Sequence, residues 1–202
     1  MPLLPPAMQG LMQAKAASKA MAGQKLPSMI SALSMAICQY VLLSSVVNST
    51  NVAMGPGAGT QMGRVVGLNA NLMATAMMMK AASMGISGRD TRKFFDAVAF
   101  GVVQAMNTVV MQGTIIGAGP GSGTGKIIGL VPTALLAFML SQAAFRMLAG
   151  SKMKSVLSAV AFGVCTHIMS VGVVTITDIG VAASPPAGPV PVPAAPGIGR
   201  LV

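Results

Sequence analysis

The chain contains no tryptophan, one tyrosine, one histidine and two cysteines, and its three acidic residues, Asp90, Asp96 and Asp178, are all aspartate. Each shortage excludes something. General acid–base catalysis needs positioned carboxylates, histidine, lysine or tyrosine. No nucleophile–base pair can be assembled from so few, and the lone His167 lies in an apolar stretch, where a hydrogen-bonded core residue is the ordinary reading. No enzyme activity is expected. Cys38 and Cys165 are too few and too distant for a disulfide framework and lack metal-ligand spacing. Both fall in apolar stretches and read as buried free thiols. Neither a metal nor any other cofactor is expected.

Charge is scarce as well. Charged residues make up 8% of the chain and hydrophobic ones 53%, against about 25% charged in an ordinary soluble protein, and mean hydropathy is +0.75. So little charge leaves a monomer poorly able to cover itself with solvated surface, so burial against lipid or other protein copies is expected. The charge that exists is one-sided: thirteen Lys and Arg give a formal net charge of +10. A basic excess draws attention to nucleic acid. These cations are spread singly, however, and aromatic side chains that would stack on bases are few, so nucleic acid is not the expected partner. The densest group, Arg89, Arg92 and Lys93, carries Asp90 and Asp96 among its members.

Lipid is the next candidate. Leu26–Gly63 and Ala97–Gly125 are uncharged and exceed the roughly 20 residues of a membrane span. Both are broken by Gly-Pro-Gly, and no aromatic belt can form. Basic residues fall in nearly every segment between helices (Arg64, Arg89, Lys126, Arg146, Lys152), so the charge bias that orients a membrane protein is missing. Met1-Pro2-Leu3-Leu4-Pro5-Pro6 has neither the charged start nor the apolar core of a signal peptide.

What is plentiful is glycine, 24 residues, and methionine, 19. The glycines fall in a repeat. Gly55-Pro56-Gly57-Ala58-Gly59-Thr60 returns as Gly119-Pro120-Gly121-Ser122-Gly123-Thr124. Gly63-Arg64-Val65-Val66-Gly67-Leu68 returns as Gly125-Lys126-Ile127-Ile128-Gly129-Leu130, and Ala97–Val102 returns as Ala159–Val164. A third unit is expected to be truncated, because the sequence stops at Gly199-Arg200-Leu201-Val202, where its next helix would begin. A long repeat of this kind marks a copied supersecondary unit whose neighbours share a core.

The expected organisation is an N-terminal arm (1–27), a first unit (28–90), a second (91–151), a truncated third (152–183) and a Pro/Gly-rich tail (184–202). The expected fold is mainly α, with repeated helix, Gly-rich extended crossing and helix, and short β segments at most. Helices are expected from Ser28 as N-cap to Val47, from beyond Gly67 to Met84, over Thr91–Met111, from Pro132 to Leu148, and over Lys152–Ser170. Val171–Ile179 is β-branched and reads as a strand. In the arm, Met8, Leu11 and Met12 share one side of a short helix, which docks either on a neighbouring subunit or on its own core.

Gly117–Lys126 invites a phosphate-loop reading and fails it. That motif requires Gly-x-x-x-x-Gly-Lys-Ser/Thr, whereas Pro120 stands where its first glycine belongs and Ile127 follows Lys126. Its recurrence with Arg64 in the first unit points to architecture. Glycine allows close backbone approach, and the cation that follows can bond helix-end carbonyls or an acidic neighbour. The contact residues expected on these grounds are Gly55, Pro56, Gly57, Arg64, Gly119, Pro120, Gly121, Lys126 and Arg200.

Gly55–Val66, Gly117–Ile128 and Gly197–Val202 resemble segments of small, basic, Gly/Ala/Met-rich structural proteins of contractile-tailed bacteriophages. The resemblance implies a multi-copy virion component of the tail or baseplate, assembled in the host cytoplasm without catalysis. Its partners would be copies of itself and other virion proteins. The alternatives are a polytopic membrane protein, such as a small pore or lysis protein, and a basic internal virion protein on the genome.

Overall fold

The computed structural model describes residues 3–54, 58–116, 122–178 and 195–201. Among the described residues, six helices and six strands occur in the order α1 (Pro5–Ser18), α2 (Leu26–Ser44), β1 (Val46–Met54), β2 (Ala58–Val66), α3 (Ala70–Ser83), α4 (Thr91–Thr108), β3 (Val110–Ile116), β4 (Ser122–Ile128), α5 (Pro132–Phe145), α6 (Met153–Val171), β5 (Val173–Asp178) and β6 (Ala195–Leu201). The strands close into one antiparallel barrel, β1-β2-β3-β4-β5-β6. The mainly-α expectation is therefore wrong: the described parts of the Gly-rich crossings are paired strands of a barrel.

The reason is visible in the register. Val47, Ser49, Gln61, Gly63, Val65, Met111, Gly125, Ile127, Val174, Ile176, Gly199 and Leu201 are buried, whereas their chain neighbours Asn48, Thr50, Thr60, Arg64, Gln112, Thr114, Thr124, Lys126, Thr175 and Arg200 are exposed. That alternation of two is a strand signal. It is hidden because glycine fills many of the inward positions where an apolar side chain would reveal it. An eight-stranded barrel is just wide enough for side chains to fill, and six strands enclose less. A Cβ on Gly113 would collide with the Thr124 carbonyl and the Gly125 backbone across the ladder. Gly125 faces the Met111 side chain and Gly199 the Ile176 side chain in the same way. Glycine here is the space into which Met111 and Ile176 fit. Gln61, also inward, donates from its side-chain amide to the Ser49 hydroxyl at 3.4 Å.

Every junction between helix and strand lies at one end of the barrel, and the helices gather there in a cyclic order α1-α2-α3-α4-α5-α6, with α6 packed on α1. The arm is thus no appendage: α1 completes the third unit and closes the ring. Its sequence agrees. Leu3-Leu4-Pro5 aligns with Leu68-Asn69-Ala70 and Leu130-Val131-Pro132, and the stripe Met8, Met12, Ala16 aligns with Met73, Met77, Ala81 and Leu135, Met139, Ala143, all of them buried. The molecule is a pseudo-threefold ring of helix–hairpin–helix units, the third of which takes its last helix from the start of the chain.

The two kinds of helix have different burial. The long helices α2, α4 and α6 bury eight, ten and nine residues; the short α1, α3 and α5 bury one stripe of three or four each. The pairing depends on small residues. A Cβ on Gly101 of α4 would meet Met139 of α5, and one on Gly163 of α6 would meet Met12 of α1. Ala36 holds the equivalent position in α2. Met suits such slots because its unbranched chain follows an irregular gap.

Element boundaries shift from the expected ones in a consistent way. α2 begins at Leu26, with Pro27 in its first turn and Lys25 rather than Ser28 at the N-cap. It ends at Ser44, and α4 ends at Thr108, because the β-branched residues that follow start strands. The expected Arg92–Asp96 pair forms at 2.9 Å, and Pro132 opens α5 as expected. Part of the expected tail, Ala195–Leu201, is a barrel strand joining β1 to β5.

Candidate functional site

Three of the expected contact residues fall at one repeated position. Arg64 on β2, Lys126 on β4 and Arg200 on β6 point out from the barrel and are exposed. They do not converge on a single site; the pseudo-threefold relation spreads them around the barrel wall. Each stands opposite a neutral hydrogen-bonding side chain on the preceding strand: Arg64 opposite Asn48, Lys126 opposite Gln112, Arg200 opposite Thr175. Among the described residues none of the three makes an ion pair. The other expected contact residues, Gly55, Pro56, Gly57, Gly119, Pro120 and Gly121, lie outside the described residues.

A second group of cations occupies the opposite end, where the helices turn. Lys19, Lys25, Arg89, Arg92, Lys93, Lys152 and Lys154 are exposed there. Some of this charge is balanced locally: Lys93 pairs with Asp90 at 3.0 Å and Arg92 with Asp96. Arg146, half-buried, reaches Asp96 at 4.0 Å and lies over the Phe100 ring at 4.7 Å from its centroid. Lys15 lies over Phe162, the residue equivalent to Phe100, at 5.0 Å. These contacts tie the short helices to the long ones. A cavity of about 500 Å³ opens at this end, lined by Met29, Phe94 and Val156, which are equivalent in the three units. Asp90 and Lys152 stand at its rim.

Between the two cationic ends lies a waist with little charge. α2 and α5 carry no charged residue at all. The outer faces of the short helices expose mostly small or uncharged side chains: Gly10, Ala14 and Ala17 on α1, Asn71, Thr75 and Ala82 on α3, Thr133, Ala134, Ala137, Ser141 and Ala144 on α5. Leu43, Leu72, Met79 and Phe145 add apolar area to this surface, and Met147 extends it just beyond α5.

His167 is structural. Its Nε2 accepts the Leu4 backbone N–H at 3.0 Å, so the N-cap residue of α1 is held by α6. Tyr40, the equivalent residue of α2, accepts the Asn69 backbone N–H through its hydroxyl at 3.1 Å and holds the N-cap of α3. The third unit-equivalent, Ala105, has no such group. Burial lowers the His167 pKa, which keeps the imidazole neutral and its Nε2 free to accept. Cys38 and Cys165 are also equivalent, both buried and free. Burial pushes each thiol up to about 12, and Cys38 donates weakly to the Met8 sulfur at 3.9 Å.

Sequence reasoning missed the α1 equivalence, the Tyr40/His167 clasp and the cavity lining. A signal for the clasp was present. Leu26–Ser44 aligns on Met153–Val171 without a gap, bringing Cys38 onto Cys165 and Tyr40 onto His167. Among the described residues no group of His, Cys, Asp or Glu is placed to hold a metal ion. No family model, curated protein or solved structure matches the chain.

Proposed function

We propose that the chain is a non-enzymatic structural subunit held within a larger protein assembly, of the tail or baseplate kind implied by its resemblance to phage structural proteins. The observation that supports this reading best is the waist. Its exposed face is too poor in charge for an ordinary solvated surface. It is also too rich in Ala, Gly, Ser and Thr for a lipid-facing one, where large aliphatic side chains lower the free energy of insertion most. Small side chains let helices approach closely, which suits contact with further protein. The cationic belt and the cationic far end bracket this surface and would fix orientation rather than supply affinity.

The test is expression without detergent followed by sedimentation, with mass spectrometry of purified particles from the source. Recovery in particles, and self-association of the isolated chain, is the expected result. Recovery only from membranes would refute it.

A second reading keeps one observation in its favour. α2 and α6 are each 19 residues long, with mean hydropathies of 1.6 and 1.4 over their best windows, and such a helix is about 28 Å long, close to the hydrocarbon thickness of a bilayer. Half or less of each window is buried inside the protein. Under this reading the chain would resist carbonate extraction from membranes.

A further inference from the structure

The belt of Arg64, Lys126 and Arg200 has a property that no single contact would require: the same charge, at the same register, once in each pseudo-equivalent unit. We infer that the outer wall of the barrel docks into a threefold-symmetric ring of another, acidic protein, one copy of this chain per three copies of the partner. The inference rests on the structural role proposed above and specifies the partner.

The first step is charge. The chain carries +10, and the belt cations lack ion-pair partners among the described residues. A second copy of the chain would present the same cations, and like charges brought together are costly. The complementary surface must be anionic, which on a protein means carboxylates, and the chain itself has only three acids, two of them already paired at the far end.

The second step is the local chemistry. Each cation has a neutral polar partner across the strand pair: Asn48, Gln112 or Thr175. A cation beside an amide or hydroxyl donor matches a carboxylate, which accepts several hydrogen bonds at once. Nearby Thr50, Thr60, Thr114 and Thr124 are exposed as well, so the wall is polar over much of its height.

The third step is symmetry. Three equivalent patches around one axis can be satisfied together only by a partner that repeats its own surface three times about that axis. A closed ring of three identical subunits does this with a single interface. The outward side chains are not identical in the three units: Met62, Thr124 and Ile198 occupy another equivalent position. The cation is what the three patches share, so the charge is the predicted point of contact.

The experiment replaces Arg64, Lys126 and Arg200, one at a time, with a photo-crosslinking phenylalanine analogue in cells of the source, and places the same probe at Lys19 on the opposite end as a control. The expected result is one partner protein, crosslinked through the same peptide at all three belt positions and not at position 19. The complex should contain one chain for every three partner copies. Different peptides at the three positions, self-crosslinks, or crosslinks to nucleic acid or lipid alone would overturn it. So would the absence of crosslinks from a chain that still sediments with particles; in that case the structural role survives and the belt inference fails. A chain that sediments with no assembly overturns both.

Charge reversal gives an independent readout. Arg64→Glu, Lys126→Glu and Arg200→Glu should each reduce retention in particles by about tenfold or more, because like charges brought together are costly, and by similar factors. Arg64→Lys and Lys126→Arg should retain the chain. All three sites are exposed, so helix content by circular dichroism should be unchanged in the five variants. A loss confined to one position would refute threefold docking.

Discussion

Replacing Gly101 by alanine tests how closely the long and short helices approach. Gly101 lies inside α4, and in a helix alanine is intrinsically favoured over glycine by about 1 kcal/mol. The structure opposes that gain. The added Cβ would lie 2.6 Å from Met139 Cγ, 3.0 Å from Met139 N and 3.1 Å from Met139 Cα. Carbon atoms prefer about 3.5–4.0 Å. Two of the three contacts are backbone, so a rotamer change at Met139 is insufficient and α5 must move away. Overpacking of this sort costs about 1–3 kcal/mol. The control is Gly10→Ala in α1, where nothing lies within 4 Å of the new Cβ. Both variants receive the same propensity gain, so their difference isolates the clash: about 1–3 kcal/mol, with Gly10→Ala the more stable. At about 2–4 °C per kcal/mol for a chain of this size, Gly10→Ala should melt about 2–4 °C above the parent chain. Gly101→Ala should melt at or below the parent. Thermal unfolding followed by circular dichroism reads both. Equal stabilisation by the two substitutions would refute the close α4–α5 packing, and with it the explanation of the paired Gly101 and Gly163.

Three further outcomes are expected. Because burial places the folded-state pKa of His167 below its ordinary value, the unfolded chain binds the proton more readily. The stabilisation is therefore complete above about pH 6.5 and declines as pH falls below that value. His167→Ala should lower the urea midpoint by an amount matching a lost hydrogen bond, about 1 kcal/mol, and flatten this pH dependence; an unchanged profile would show that another group causes it. With both thiols pushed up to about 12, Cys38 and Cys165 should resist a thiol reagent at pH 8 in the folded protein and react rapidly in denaturant, as counted by mass spectrometry; fast labelling of the native chain would contradict their burial. Removing residues 1–18 should abolish cooperative unfolding. Leu3, Met8 and Met12 are fully or almost fully buried, at about 1.5–3 kcal/mol each, a large share of the usual 5–15 kcal/mol. A synthetic peptide of residues 1–18 should restore it in trans, and a truncated chain that unfolds as cooperatively as the full one would show that α1 does not close the ring.

The sequence by itself determined the helices and the repeat. Proline, glycine and polar breaks bound α3, α4 and α5 near their observed limits, and the i,i+4 spacing of Arg92 and Asp96 foretold their ion pair. The same reading placed Arg64, Lys126 and Arg200 at one repeated position, since each follows a glycine at the same phase. The exclusion of a disulfide pattern also followed from composition, because it needed only counts and spacings.

Tertiary structure decided the barrel and the closure. A strand announces itself by alternation of apolar and polar side chains, and here Gly63, Gly113, Gly125 and Gly199 stand where the apolar ones would be. The interior volume of a six-stranded barrel selects glycine at those positions, and that volume exists only once all six strands are paired. The role of α1 was hidden for a similar reason. Local pattern makes Met8, Met12 and Ala16 a stripe that needs covering, without saying by what. Only the ring, in which α6 offers Gly163 to Met12 and His167 to the Leu4 amide, identifies the partner as a helix nearly 150 residues further along the same chain.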